Sequence, residues 1–383
     1  MNAGPVAAIP APERTRAGAF VLVCLAYVGV TVGEQVLAPV LPGVSGDLGF
    51  DESRTGIAIG LLAGAIAVAN LIGGAVLGRV GPKRLMFVAV TITTLGSVLA
   101  ALAQSYWVLV AAQVLLGTGA GLYFPAGLRA VALVSGTGRR GFSMGLYGVA
   151  FSVGLALAAL LGTFGSTAGW RSVFWASAGF GVVCMVGTAT LRLDAPRVVA
   201  PFRFPLQAII GLPTFIGAIG AVCQYGAMPY LALFAVDTWE ISAGAAAALI
   251  AAGRIISIGA KVAAGASMDR FGAVNSARVT GLLLAATGLA WVLLPAMVVT
   301  YTAAAVFAGM ISSLFPIANL VAVDRFGSDG PALGVYRSTQ IAIGAIVGTM
   351  IGLLGATFGL RVTLAIAVTC PLLLVALRRP TEA

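Results

Sequence analysis

The sequence predicts an all-α integral membrane protein with twelve transmembrane helices in two related halves. Three observations predict it. Hydrophobic residues make up 60% of the chain and charged residues only 9%, whereas soluble domains carry about 25% charged residues. Mean hydropathy is +1.05, and apolar runs of about 20 residues, enough helix to cross a hydrocarbon core of ~30 Å, recur along the whole length. A set of short motifs also repeats at an offset of half the chain. Alternating dyads in short strands, the mark of an outer-membrane barrel, are absent from the sequence.

The first run, 18–38, contains Glu34 and leads into LPGVSGDLG (41–49). The second, 55–77, carries Asn70 and ends on GAVLGRVGPKR (74–84), and the third follows at 84–103. The fourth, 107–129, holds Gln113, Tyr123 and Phe124-Pro125. The fifth, 141–163, places Gly154, Ala158 and Gly162 four residues apart, a spacing that lets helix backbones approach closely in lipid. GWRSVF (169–174) opens the sixth, 171–191. The seventh, 207–235, carries Gln224 and Tyr225, and the eighth, 243–266, carries Arg254 and Lys261 before GASMDRFG (265–272). The ninth and tenth are 278–297 and 299–322, the latter with Phe315-Pro316 and Asn319. Gly344, Gly348 and Gly352 punctuate the eleventh, 334–356, and the twelfth is 360–377.

Gly74, Arg79 and Gly81 recur as Gly265, Arg270 and Gly272 at an offset of 191, which Phe124-Pro125 and Phe315-Pro316 share. Gly169-Trp170-Arg171 and Gly359-Leu360-Arg361 repeat at 190. Two homologous bundles explain this most economically. The expected organisation is a cytoplasmic tail (1–16), a six-helix bundle (17–191), a cytoplasmic linker (192–206, RLDAPRVVAPFRFPL), a second bundle (207–377) and a tail (378–383). The first tail has no small-residue cleavage site behind a short apolar core, so no signal peptide is expected.

The net charge of +10 follows the loops rather than marking a nucleic-acid partner. Of 22 Lys+Arg, 17 (Arg337 among them) fall in segments on the side of the N-terminus, Arg54, Arg171 and Arg361 fall opposite, and Arg254 and Lys261 lie within a span. The positive-inside rule then places both termini in the cytoplasm of a multi-pass cell-membrane protein. The four cysteines each sit alone in an apolar span and read as small hydrophobes. With no histidine, ordinary Cys/His zinc sites are excluded, and no metal or cofactor is expected.

Two enzyme-like patterns overlap in SGTGRRGFSMG (135–145) and both fail. Gly136, Gly138 and Gly141 spell a dinucleotide fingerprint with no βαβ unit and no acid until Asp194, and Gly141-Phe142-Ser143-Met144-Gly145 spells a nucleophile elbow without a histidine base. No Walker motif exists, so ATP is not the energy source. The chain is not expected to be an enzyme.

The only acid within a span is Glu34, so the interior holds one carboxylate and the two cations Arg254 and Lys261. A charge at the centre of a membrane helix costs ~3 kcal/mol on insertion scales, and such residues usually face a wet cavity on a transport route. Seven residues apart, Arg254 and Lys261 share nearly one face, ~10.5 Å apart along the axis. Lysine lacks the bidentate fork of arginine but can give up its proton when desolvated, so Lys261 suits anion binding or proton coupling. The alternatives are that Lys261 snorkels to the interface and that Glu34 forms a structural ion pair with Arg254. Gln35, Asn70, Gln113, Tyr123, Tyr147, Gln224, Tyr225, Asn319, Tyr336 and Gln340 supply further polar groups, each able to act as interhelical glue.

LPGVSGDLG, GAVLGRVGPKR, GWRSVF and GASMDRFG together resemble the major facilitator superfamily over essentially the full chain. The resemblance implies a secondary active transporter whose bundles rock about a central site, with helices 2, 5, 8 and 11 at the seam. It implies loop or gate roles for Gly74, Arg79, Gly81, Lys83, Gly265, Asp269, Arg270 and Gly272, although Gly78 stands where the family has an acid. Lys261, eight residues before Asp269, resembles the helix-8 position at which oxalate, monocarboxylate and nitrate transporters place a substrate-binding arginine. Glu34, in EQVLAPVLP, resembles helix 1 of arabinose-efflux and chloramphenicol-resistance exporters, where it would carry a proton. Helix 4 has Gln113 in place of the exporters' arginine, and helix 5 lacks the Gly-Pro pair of drug antiporters.

The expected function is proton-coupled alternating-access transport of a small organic or inorganic anion. Arg254, Lys261, Tyr225, Gln224, Asn70, Gln113, Tyr123 and Asn319 would bind substrate, and Glu34 would be the proton site. The alternative is a proton-coupled exporter of drug-like compounds or metabolites. The expected partners are a small-molecule substrate, a proton or sodium as coupling ion, and membrane lipid, with the protein a monomer. A non-transporting receptor would need longer soluble tails.

Overall fold

With little polar surface to expose, the chain satisfies its backbone in helices, as a hydrocarbon environment requires. The computed structural model describes residues 13–135, 140–193, 208–326 and 330–377. Most of the two expected tails, nearly all of the linker and the GTGR segment lie outside them. Among the described residues there is no strand. Eleven helices among the described residues are long and apolar enough to span a membrane: α1 (Ala17–Leu48), α2 (Glu52–Val80), α3 (Pro82–Ala101), α4 (Tyr106–Val134), α5 (Leu146–Ala168), α6 (Trp170–Thr190), α7 (Leu212–Trp239), α8 (Ala243–Met268), α9 (Arg270–Leu293), α10 (Val298–Phe326) and α11 (Gly334–Phe358). The shorter apolar helix α12 (Leu360–Leu374) completes the expected twelve.

Glycines set the turns between spans. Gly81 and Gly272 adopt φ of 84° and 77°, and Gly169 and Gly359 adopt 83° and 87°, conformations that a Cβ disfavours. The repeat seen in the sequence therefore reappears as repeated backbone geometry. Alternating turns give the molecule an acid-bearing end, with Asp47, Asp51, Glu52, Asp237 and Glu240, and a basic end, with Arg79, Lys83, Arg84, Arg270, Arg278 and Arg325. Two of the sequence motifs meet at the acid-bearing end: Arg171 and the Trp170 indole both donate to Asp47, at 2.6 and 3.2 Å. Arg171 also donates to the Ala103 carbonyl at 2.9 Å, joining α1, α3 and α6.

Prolines break the helices at chosen points. A proline lacks an N–H and its ring clashes with the carbonyl four residues earlier. For Pro39 that residue is Gln35, where α1 is interrupted before Leu37. For Pro229 it is Tyr225, inside the π-helical turn Val222–Ala227 of α7. For Pro316 it is Ser312, in a 3₁₀ turn of α10.

The seam is tight at one end and loose at the other. A methyl added at Gly56 of α2 would lie 2.8 Å from the Thr349 carbonyl oxygen and 2.9 Å from the Gly352 Cα of α11. One at Gly162 of α5 would lie 3.4 Å from the Ala247 Cβ of α8. Towards the basic end, Gly64, Gly74, Gly148, Gly259, Gly265 and Gly334 on the same four helices face no atom within 4 Å. Of the α11 glycines, Gly352 meets α2, whereas Gly344 meets the Ala221 backbone of α7.

Candidate functional site

Two of the proline-induced breaks face each other. Glu34 and Gln35 sit at the end of the first helical segment of α1, and Gln224 and Tyr225 sit in the π turn of α7; single-turn π distortions are frequent at functional sites. The Tyr225 hydroxyl donates to the Glu34 carboxylate at 3.2 Å. These residues are 191 apart, the offset of the repeat in the sequence.

A directed chain of hydrogen bonds leads from this carboxylate to Arg254. The Arg254 guanidinium donates to the Gln224 carbonyl at 3.1 Å, the Gln224 amide donates to the Gln35 carbonyl at 3.1 Å, and the Gln35 amide donates to Glu34 at 2.7 Å. Arginine has only donors and an ionised carboxylate only acceptors, so the end groups dictate the orientation of both amides. A direct Glu34–Arg254 ion pair, one of the two alternatives for these charges, is absent: two amides separate a cation that is 2% exposed from a carboxylate that is 7% exposed. The groups whose charge or polarity acts on Glu34 are Gln35 on its own helix, Tyr225 on α7, Arg254 on α8 and Arg337 on α11. A cavity of about 30 Å³, room for about one water, opens beside Glu34, Gln35, Ile59, Leu62, Gln224 and Tyr225.

Lys261 does not snorkel. Its Nζ donates to Ser152 Oγ of α5 at 2.6 Å and lies 5.2 Å from the Phe151 ring centroid. A further cation joins it. Arg337, counted in the sequence with the basic loops, lies inside α11, where it donates to Gln340 at 3.1 Å. Its guanidinium lies 4.5 Å from the Phe315 ring and 5.7 Å from that of Phe124, two more residues related by the 191 offset. Among the described residues, the linked charges around this site are thus three cations, Arg254, Lys261 and Arg337, and one carboxylate, Glu34. That Arg337 falls within the expected span 334–356 was the signal for it; Phe151, Ser152 and Tyr27 had no comparable signal, apart from Tyr27 standing seven residues before Glu34 on the same helix face.

Other candidates lie elsewhere. Tyr123 is fully buried, donates to the Val23 carbonyl at 2.6 Å and stacks on Tyr27. Asn70 is buried where α2 meets Gly121 of α4. Gln113 is buried and its amide has no hydrogen-bond partner among the described residues. Asn319 is exposed and accepts from Tyr336 at 3.1 Å. Of the loop residues, Arg79 and Arg270 are exposed, Lys83 is half-buried, and the Asp269 side chain lies outside the description.

Comparison with known proteins bears on these helices as a whole. Residues 23–349 match the family model described as Major Facilitator Superfamily. The chain belongs to this superfamily. Its members are transporters, not enzymes. A bacterial homolog to the human lysosomal transporter Spinster, in an inward-facing and occupied conformation, superposes with a TM-score of 0.76 at 17% identity, over 96% of each chain. A D-xylose-proton symporter gives 0.72 at 16%, over 95% of this chain and 96% of the other. These likenesses establish the fold. The 3-(3-hydroxy-phenyl)propionate transporter of Escherichia coli is 34% identical over 117 residues, 30% of this chain and 28% of that one. The probable sulfoacetate transporter SauU of Cupriavidus necator is 26% identical over 162 residues, 42% of this chain and 38% of that one. The chain therefore spans less than half the length of either relative.

Proposed function

We propose that this major facilitator protein moves a small organic or inorganic anion together with a proton. One observation carries the reading: among the described residues, Arg254 and Arg337 act on the one interior carboxylate, Glu34, and a third cation, Lys261, lies within reach of both of them but has no carboxylate of its own. Positive charge in excess of its partners among membrane-spanning helices favours an anionic ligand. Similarity to transporters named for organic acids agrees with it.

The amide chain suggests how proton and anion are coupled. An anion bound near Arg254 or Lys261 offsets the positive field that favours ionised Glu34, and a proton on Glu34 adds one unit to the charge that attracts the anion. Each ligand thus favours the other, a reciprocal coupling, and this corresponds to symport. Gln35 and Gln224 are the positioning residues between the two sites. With the basic end taken as cytoplasmic by the positive-inside rule, the loose basic end of the seam corresponds to a site reached from the cytoplasm, and rocking of the halves would close it.

Uptake of labelled small carboxylates and nitrate into proteoliposomes under an imposed pH gradient tests this. Arg254→Ala is expected to abolish uptake, and Glu34→Gln to leave counterflow exchange but remove its dependence on the gradient. Gln224→Leu should lower uptake and weaken that dependence, because Glu34 and Arg254 are then disconnected. Unchanged uptake in Arg254→Ala would overturn the anion reading. Resistance to a compound panel lost in Glu34→Gln cells, with no anion uptake in wild type, would favour the exporter reading instead.

A further inference from the structure

We propose that the transported anion is an aromatic carboxylate, with its ring against Tyr27 and Phe151 and its carboxylate on Lys261. This rests on the anion reading and narrows it. Four rings from α1, α4 and α5 form one stack: the Tyr27 centroid lies 4.3 Å from that of Tyr147 and 5.6 Å from those of Tyr123 and Phe151. Tyr123 and Tyr147 are buried and form its floor, while Tyr27 and Phe151 are half-buried and form its outer edge.

Lys261 projects from α8 onto that edge, so a cation and an apolar ring face meet at one place. Tyr27 lies within the electrostatic reach of both Glu34 and Arg337, and Lys261 within that of Arg254 and Arg337. The ring edge therefore belongs to the charged interior, not to the lipid face. An inorganic anion would neutralise Lys261 and leave the half-buried edges of Tyr27 and Phe151 uncovered. A flat aromatic body covers them in the offset or edge-on arrangements that rings prefer, and burying that much apolar surface corresponds to roughly tenfold or more in Kd.

The test is competition against labelled benzoate in proteoliposomes of the full chain, with acetate and cyclohexanecarboxylate as competitors. Benzoate is expected to bind more than tenfold tighter than acetate and roughly threefold to tenfold tighter than cyclohexanecarboxylate, which matches its charge and size but not its flatness. Phe151→Leu should cost about tenfold for benzoate and leave acetate within about twofold, Phe151→Tyr should restore benzoate, and Lys261→Gln should weaken all three. Equal competition by benzoate and cyclohexanecarboxylate in wild type would overturn the proposal without recourse to any variant, as would a Phe151→Leu protein that weakens all competitors alike. Transport of acetate or nitrate without binding of benzoate would sink this inference alone. Absence of binding by any anion would remove the anion reading itself.

Discussion

The two halves of α8 carry one cation each and treat it differently. The half that begins at Ala243 is packed against its neighbours: a methyl at Gly244 would lie 2.8 Å from Ser166 Oγ, and one at Gly253 would lie 2.7 Å from the Ala305 carbonyl oxygen. Arg254 closes that half, buried and tied through two amides to Glu34. The second half is open, with Ile255 56% and Val262 71% exposed and nothing within 4 Å of Gly259 or Gly265. Lys261 in that half rests on a neutral hydroxyl and a ring. One cation is thus committed to a fixed protein partner, while the other keeps coordination that a ligand can displace. In the proposed symport, Arg254 would be the rigid point where coupling is read and Lys261 the yielding point where cargo is exchanged.

The sharpest way to break this contrast is to remove the distant carboxylate. Glu34→Leu leaves the Gln35 amide and the Tyr225 hydroxyl without their buried acceptor and, at about 1–3 kcal/mol for each unpaired group, is expected to cost roughly 2–5 kcal/mol of stability, seen as a lower midpoint in detergent unfolding. Lys261→Met should cost far less in the same measurement. Next come two glycines six residues apart. Gly253→Ala forces a methyl against the Ala305 carbonyl and should cost about 1–3 kcal/mol, whereas Gly259→Ala meets open space and should be neutral or stabilise by up to about 1 kcal/mol. Ser152→Ala, which removes one hydrogen bond from Lys261, should cost only about 1 kcal/mol. Equal losses at Gly253 and Gly259 would erase the distinction between the halves.

Much of this was legible in the chain. The insertion cost of charge singled out Glu34, Arg254 and Lys261, and the motif repeat at an offset of 191 includes Gly81 and Gly272, whose φ values of 84° and 77° are alike. Gln35 and Tyr225 each lie four residues before a proline, a signal in the chain for breaks that only the structure showed. Twelve spans were countable, with ends off by several residues: α1 continues to Leu48 rather than stopping at 38. Arg337 was misplaced with the loops because charge near a span's end reads as a loop residue until the packing shows Phe315 and Phe124 beneath it.

Local costs are written into the amino-acid sequence: which segments leave water, where helices break, and which charges need a reason to be there. Such costs depend on a residue and its chain neighbours, so no packing is needed to read them. Tertiary packing, in contrast, settled that Glu34 and Arg254 meet through Gln35 and Gln224 rather than directly, that Lys261 lies on Phe151, and that the seam is tight at the acid-bearing end. Each of these pairs residues from helices far apart in sequence, and their distances are set by how glycines and ring stacks let those helices approach.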